Sequence, residues 1–471
     1  MESLFCIRYL EVIIIEFISF LNKNIIWGVP MIFLMLGTGI LLTVITKGVI
    51  FRRFDVLFKY TLSSLFKKRD KTKKGAISPF EAVCTALAAT VGTGNIVGVA
   101  LAITIGGPGS IFWLWVSALI GMVLKYAEVL LAVTFRTKNE KSEIVGGPMY
   151  YIEEGLKSKL GAILFSVFGF LAALGSGATV QANSLSMSIN NTFKIPAWSI
   201  GLTIGFLSAL ILVGGISRIA KVTQFLVPFM AIFYIGGALV VLAKNFSEIP
   251  NAFFGIFKGA FSETAAVGGF LGASVMTSLR VGISKGVFTH EGGMGSAPIA
   301  HASADTDHPA RQGLWGAFEV FFDSIVMCTI SGLVILTSGL WREIPSQNSG
   351  IMSSLAFESA FEGGRYIVDI GLPLFAFATI IAWYYYGEKC VEYLFKNNSK
   401  AISIYKLLYI LTVFLGCIAD IKFVWEFADL SNGLMAIPNL IALIFLSPKV
   451  KRISDDFFKN PHEIRKETSI T

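Results

Sequence analysis

Charge is scarce in this chain. Only 15% of the 471 residues are Asp, Glu, Lys or Arg, against about a quarter in ordinary soluble domains. Histidine occurs four times and cysteine five times. The cysteines (Cys6, Cys84, Cys328, Cys390, Cys417) show no CxxC spacing, which argues against a metal cage or a disulfide framework. His290-Glu291, His301, Asp305 and His308 fall in one stretch, but the spacing is not HExxH. No nucleophile–base constellation accompanies them. A membrane-embedded metal hydrolase using His290 and Glu291 is the enzyme alternative; the main reading is a protein that is not an enzyme. His301, Asp305 and His308 are expected to be solvated residues where a span leaves the membrane. The stretch "GTGNIVG" (92–98) is not a dinucleotide loop, because Val97 occupies the last glycine position of GxGxxG and no strand precedes it. With no ATP-binding motif, an ion gradient is the expected energy source. The N-terminal "MESLFCIRYLEVIIIEFISFL" lacks a small-residue cleavage site and is interrupted by Arg8, Glu11 and Glu16. Residues 1–24 therefore read as an interfacial segment, not a signal peptide.

What the chain does have is apolar length. Hydrophobic residues make up 54% of it, in runs of roughly 20 that match a ~30 Å hydrocarbon core. Short alternating segments, the mark of a membrane barrel, are missing. The expected fold class is an all-α polytopic membrane protein. Runs fall near 25–46, 81–105, 110–135, 160–188, 196–216, 217–243, 268–300, 311–340, 366–393, 402–420 and 423–447, about eleven spans on a hydropathy window.

The net charge of +8 is explained by topology, not by nucleic acid. The most basic segment, within 47–80, belongs in the cytoplasm by the positive-inside bias. Alternating the remaining spans places about 27 Lys and Arg inside and about 8 outside. The N-terminus is then outside and the C-terminal tail, 448–471, inside the cytoplasmic membrane. Oligomeric state has no signature in the sequence.

Setting aside the extra helix at 25–46, ten core spans divide into five and five, 81–243 and 244–447. Five is odd, so the halves insert in opposite senses. The first span of each half is interrupted: "ATVGTGNIVG" (89–98) in one and "THEGGMGSAPIA" (289–300) in the other. Interrupted spans at matching positions of inverted halves point to a transporter binding site. The N–H groups of Gly92, Thr93 and Gly94 can cradle a carboxylate at a positive dipole end. Freed carbonyls near Ala88 and Val91 can coordinate a cation. The alternative is that small residues there allow close helix packing. Lys125 and Glu128, three apart on one face, read as a structural or gating pair. Glu319 and Asp323 line an ion pathway or serve interior packing, and Arg280 and Lys285 read as gate or interface charges.

Five blocks carry a resemblance. "TALAATVGTGNIVGVALAITIGGPGSIFWLW" (85–115), "GMVLKYAEVLLAVTFR" (121–136), "GGPMYYIEEGL" (146–156), "GGMGSAPIAHASA" (292–304) and "IIAWYYYGE" (380–388) resemble the alanine or glycine:cation symporter family. The likeness spans roughly residues 75–447. It implies a leucine-transporter-like fold of five-plus-five inverted repeats, and symport of small neutral amino acids with sodium. It implies substrate contacts at Gly92, Thr93, Gly94 and Gln181, with Met294 and Trp383 as pocket walls. It implies sodium ligands at Ala88, Val91, Asn95 and Thr379. Proton coupling, or a different small solute, is the alternative within transport. Three departures stand out: His290 where the family usually has Asn, Gly292 where it has Ala, and Ala378-Thr379 where many members have paired threonines. The last removes one possible cation hydroxyl.

Overall fold

The computed structural model describes residues 13–61, 76–140, 142–261, 275–345 and 349–461. These residues are almost entirely helical. Their one sheet pairs Thr137–Lys138 with Ile144–Val145. Among the described residues seven helices are long and apolar enough to cross a bilayer, and two bent helix pairs raise that to nine. Helices dominate because lipid offers the backbone no hydrogen bonds, so each span must satisfy its own.

The helix Ile13–Ile26 bends by 43° into Val29–Ile45, the extra helix. Residues 1–12 of the expected interfacial segment lie outside the described residues, as do 62–75 of the basic loop, 268–274 of the sixth core span and 462–471 of the tail. The first core helix is Pro79–Thr90 plus Gly94–Gly106, bent by 47°. Its start is set by a capping box: Glu81 N–H donates to Ser78 Oγ, and Ser78 N–H donates to the Glu81 carboxylate, satisfying two orphan donors at once. The second core helix is Gly109–Thr134, the third Lys159–Phe193, the fifth Gly215–Lys244. The short fourth, Ala197–Leu212, is separated from the fifth at Gly215, whose φ of +61° suits glycine. The sixth is divided into Val275–His290 and Ala297–His301. The seventh is Pro309–Ser338, the eighth Arg365–Leu394, the ninth Ser399–Ile418.

The tenth core helix, Ile421–Lys459, runs well beyond the expected end at 447. Pro438 and Pro448 lie inside it. Its extension is docked, not free: Ser454 Oγ lies 2.9 Å from the hydroxyl of Tyr126, and Tyr60 donates to the carbonyl of Pro461. The start of the basic loop is ordered as well. Phe54–Thr61 is a helix whose Phe54 and Phe58 meet Phe321 of the seventh core helix edge-on.

The second core helix packs between the sixth and seventh. The extra helix lies against the second and tenth. Its entry is pinned by polar bonds: Asn22 Nδ2 donates to the Glu426 carbonyl at 2.9 Å, and the Trp27 indole donates to the Asp429 carbonyl at 2.9 Å.

Candidate functional site

The break in the first core helix is built by Val91, Gly92 and Thr93. Its lower half ends with Val91 N–H donating to Leu87 O at 2.7 Å. The upper half begins at Gly94, so its N-terminal N–H groups and positive dipole end face the break. Side-chain amide oxygens cover two of the exposed donors. Gly92 N–H donates to Asn95 Oδ1 at 3.0 Å, and Thr93 N–H to Gln181 Oε1 at 3.4 Å. The Thr93 hydroxyl is fully buried and has no hydrogen-bond partner. A buried polar group without a partner is costly, and packing alone gives no reason for a threonine here.

Four further helices converge here. Gln181 follows a wide π-helical turn, Ala173–Thr179, in the third core helix; such turns often mark functional sites. Its Nε2 donates to Ser176 O, which aims Oε1 at the break. Thr379 of the eighth core helix donates its hydroxyl to Ala88 O at 2.8 Å. Asn95 Nδ2 donates to Asp323 Oδ1 at 2.7 Å. Asp323 sits in a second π-helical turn, Phe321–Cys328, of the seventh core helix. Ser324 donates to its other oxygen, and Thr289 of the sixth core helix lies 3.1 Å from Ser324 Oγ. Ala88, Gly92, Thr93, Asn95, Gln181 and Thr379 are therefore brought together, with Asp323 behind Asn95. Gly94 faces Thr289 and Phe288.

The sixth core helix breaks after His290. Glu291, Gly293 and Gly295 all take positive φ. The imidazole of His290 is fully engaged: Gly292 N–H donates to Nδ1 at 2.9 Å, and Nε2 lies 3.0 Å from Ser117 Oγ. The ring fills space beside two glycines, since a Cβ at Gly121 would lie 2.6 Å from it and one at Gly292 would lie 3.0 Å away. At Gly292 the Gly121 backbone is closer still, at 2.8 Å, so the tight approach of the second core helix by itself calls for glycine there. Glu291 is engaged too, accepting from Trp383 Nε1 at 2.9 Å and from the Ser296 hydroxyl. Met294 is fully buried within the same segment. The bonds of Trp383 run to this second break, not to the first. Among the described residues no three His, Cys, Asp or Glu side chains are grouped to hold a metal ion.

The charged residues depart from the spacing-based pairing. Lys125 pairs with Glu319 at 3.1 Å, both fully buried, and not with Glu128. His301 Nε2 lies 3.1 Å from the other Glu319 oxygen, and Gln312 lies 2.8 Å from its Nδ1. His301 is consequently interior, not a solvated loop residue; His308 is also buried. Asn439 of the tenth core helix donates to Glu128 and to Gly293 O, and accepts from Tyr151. Asn439 carries a signal that spacing rules pass over: a buried amide within an apolar span, next to Pro438, needs partners from other helices. Lys285 pairs with Asp429 at 2.9 Å and covers the ring of Trp425.

The family model described as the sodium:alanine symporter family matches residues 11–470. The chain is 44% identical over 460 residues to "Sodium/alanine symporter AgcS" of Methanococcus maripaludis, covering 96% of this chain and 98% of that one. It is 37% identical over 449 residues to "Probable sodium/glutamine symporter GlnT" of Bacillus subtilis, covering 94% and 91%. The fold is similar to that of MhsT, solved in complex with L-phenylalanine, with a TM-score of 0.58 at 12% identity, covering 82% of this chain and 99% of that one. The fold class is that of the leucine-transporter-like helical transporters, with seven to nine apolar spans among the described residues.

Proposed function

The chain belongs to the sodium:alanine symporter family, whose members are sodium-coupled amino-acid symporters, and on that premise we propose that it couples sodium influx to uptake of alanine, glycine or a similar small neutral amino acid. The observation that carries the site assignment is the first break, where buried N–H groups end on side-chain amide oxygens beside the partnerless Thr93 hydroxyl. A substrate carboxylate is a stronger acceptor than either amide. It displaces them to bind the N–H groups of Gly92, Thr93 and Gly94 at the positive helix end, with Gln181 alongside. Sodium takes the oxygens of Ala88, Val91 and Thr379 on the opposite side of the break. Asn95 turns its freed oxygen to the cation, and Asp323 behind it supplies negative charge. Met294 and Trp383 wall off the side chain.

Coupling follows from shared elements. Cation and substrate both tie the half-helices of the first core span to their neighbours, so each lowers the cost of the closed arrangement that the other requires. The two repeats, 81–243 and 244–447, then rock so that the site opens to one side at a time. In this reading the N-terminus is outside, the C-terminus inside, and the protein resides in the cytoplasmic membrane.

A second reading, proton coupling, draws on Glu128, a buried carboxylate with one oxygen that lacks a partner. One experiment addresses both readings. Labelled alanine uptake is measured in proteoliposomes with sodium replaced by potassium or choline at fixed pH. Loss of uptake supports sodium symport. Uptake that persists without sodium and follows an imposed pH gradient overturns it.

A further inference from the structure

Trp383 is held from two sides, and only one of them is apolar. Its root packs on Gly177 of the third core helix, where a Cβ would clash with Trp383 Cβ and lie 2.7 Å from Cγ. Tyr386 meets its ring edge-on at 5.4 Å. The polar restraint comes from Glu291, in the sixth-helix break 92 residues away in sequence, through the 2.9 Å bond to Nε1. Three features make this bond unusual. Glu291 holds a φ of +54°, a conformation that disfavours residues with a Cβ. Its carboxylate is buried with the indole and with Ser296, although carboxylates inside a membrane protein are costly and tend to be functional. And its second oxygen accepts from Ser296, at the start of the half-helix Ala297–His301, so one carboxylate ties both ends of the sixth-helix break to the eighth core helix.

We infer that Glu291 is a positioning residue for substrate size: it fixes the indole of Trp383 and makes the position of that wall depend on the state of the sixth-helix break. The inference rests on the reading of Trp383 as a pocket wall. With the bond made, the indole cannot rotate to enlarge the pocket. When the break rearranges during transport, the carboxylate carries the indole with it, so the wall is rigid while the substrate is selected and is displaced when the site opens. Glutamine at 291 keeps an oxygen for the indole and an amide for Ser296; alanine keeps neither.

The test uses the full chain in proteoliposomes and reads the ratio of leucine to alanine concentrations that half-inhibit labelled alanine uptake. Glu291→Ala should lower that ratio about tenfold, the scale of one hydrogen bond to a charged group. Glu291→Gln should stay within about threefold of the parent. Trp383→Phe removes the donor, and the double variant Glu291→Ala with Trp383→Phe should discriminate no worse than either single change. Effects of the two changes that multiply overturn the inference, because the residues then act independently. So does a Glu291→Ala variant whose uptake falls for every amino acid with the ratio unchanged. If Glu291→Ala does not fold, the Glu291→Gln and Trp383→Phe comparison decides: a ratio lost in Glu291→Gln but kept in Trp383→Phe overturns it. Trp383→Ala separates this inference from its premise. An unchanged ratio there sinks the pocket-wall reading itself, whereas a changed ratio beside an unresponsive Glu291→Ala sinks only the role of Glu291.

Discussion

In Gly92→Ala the new Cβ would lie 2.6 Å from Thr379 Oγ1 and 3.2 Å from Gln181 Oε1. The first distance is too short for any carbon–oxygen contact, so the threonine must move. Its hydroxyl now bridges to Ala88 O at 2.8 Å and to Phe375 O at 3.1 Å. Moving it breaks the link between the first and eighth core helices at the proposed cation position. Overpacking of this kind costs about 1–3 kcal/mol, and a lost hydrogen bond adds about 0.5–1.5 kcal/mol. A total of about 1.5–4.5 kcal/mol, at tenfold per 1.4 kcal/mol, corresponds to roughly 10- to 1,600-fold weaker sodium activation of uptake. The control lies six residues away in the same motif. Gly98 has helical φ and open space where a Cβ would stand, with nothing within 4 Å, so Gly98→Ala should transport like the parent and gain roughly 1 kcal/mol of helix stability. The assay is labelled alanine uptake in proteoliposomes over a sodium titration, at matched incorporation, with size-exclusion profiles in detergent as the check on folding. Parent-like sodium activation in Gly92→Ala, or equal damage in Gly98→Ala, would refute the argument.

Neighbouring contacts yield two more expectations. Thr379→Ala should raise the sodium concentration that half-activates uptake while leaving alanine affinity at saturating sodium within a few-fold of the parent, because Ala378 has no oxygen to substitute; superimposable sodium curves would remove Thr379 from the cation site. Lys125→Met leaves Glu319 buried without its cation and should cost about 3–5 kcal/mol, read as a lower unfolding temperature in detergent, whereas combining it with Glu319→Gln should restore most of the loss, since glutamine still offers His301 an oxygen; a double variant no more stable than the single one contradicts the pairing.

The legible parts of the fold are those encoded locally. Apolar length marks spans wherever a run exceeds the bilayer, and Gly92, Gly94, Gly293 and Gly295 mark breaks because the residues that interrupt a helix must themselves lie at the interruption. Partner choice is different. Lys125 and Glu128 share a helix face, and spacing alone pairs them, yet Lys125 finds Glu319 across 194 residues. Both side chains are buried, and Glu128 is taken by Asn439 of the tenth core helix. His301 differs from its solvated expectation for the same reason: the helix-end composition around it looks polar, but Glu319 and Gln312 on another span draw it inward. Past Ser447, Pro448 and the following lysines resemble a stop signal, yet the helix continues. The docking of Tyr126 and Tyr60 onto that extension is tertiary and leaves no local trace.

Asn22 and Trp27 hold a schedule as well as a geometry. Their partners, Glu426 and Asp429, emerge about 400 residues later, which at roughly 5–20 residues per second is about 20–80 seconds of synthesis. Through that interval the first apolar helix has no tenth core helix to rest on. Its asparagine amide and indole N–H must remain in the headgroup region, where water and lipid carbonyls can serve them. A helix made early is then among the last to be seated. A ribosome that stalls before Ile421 leaves those two donors without their carbonyls, in a chain whose other early helices have already met.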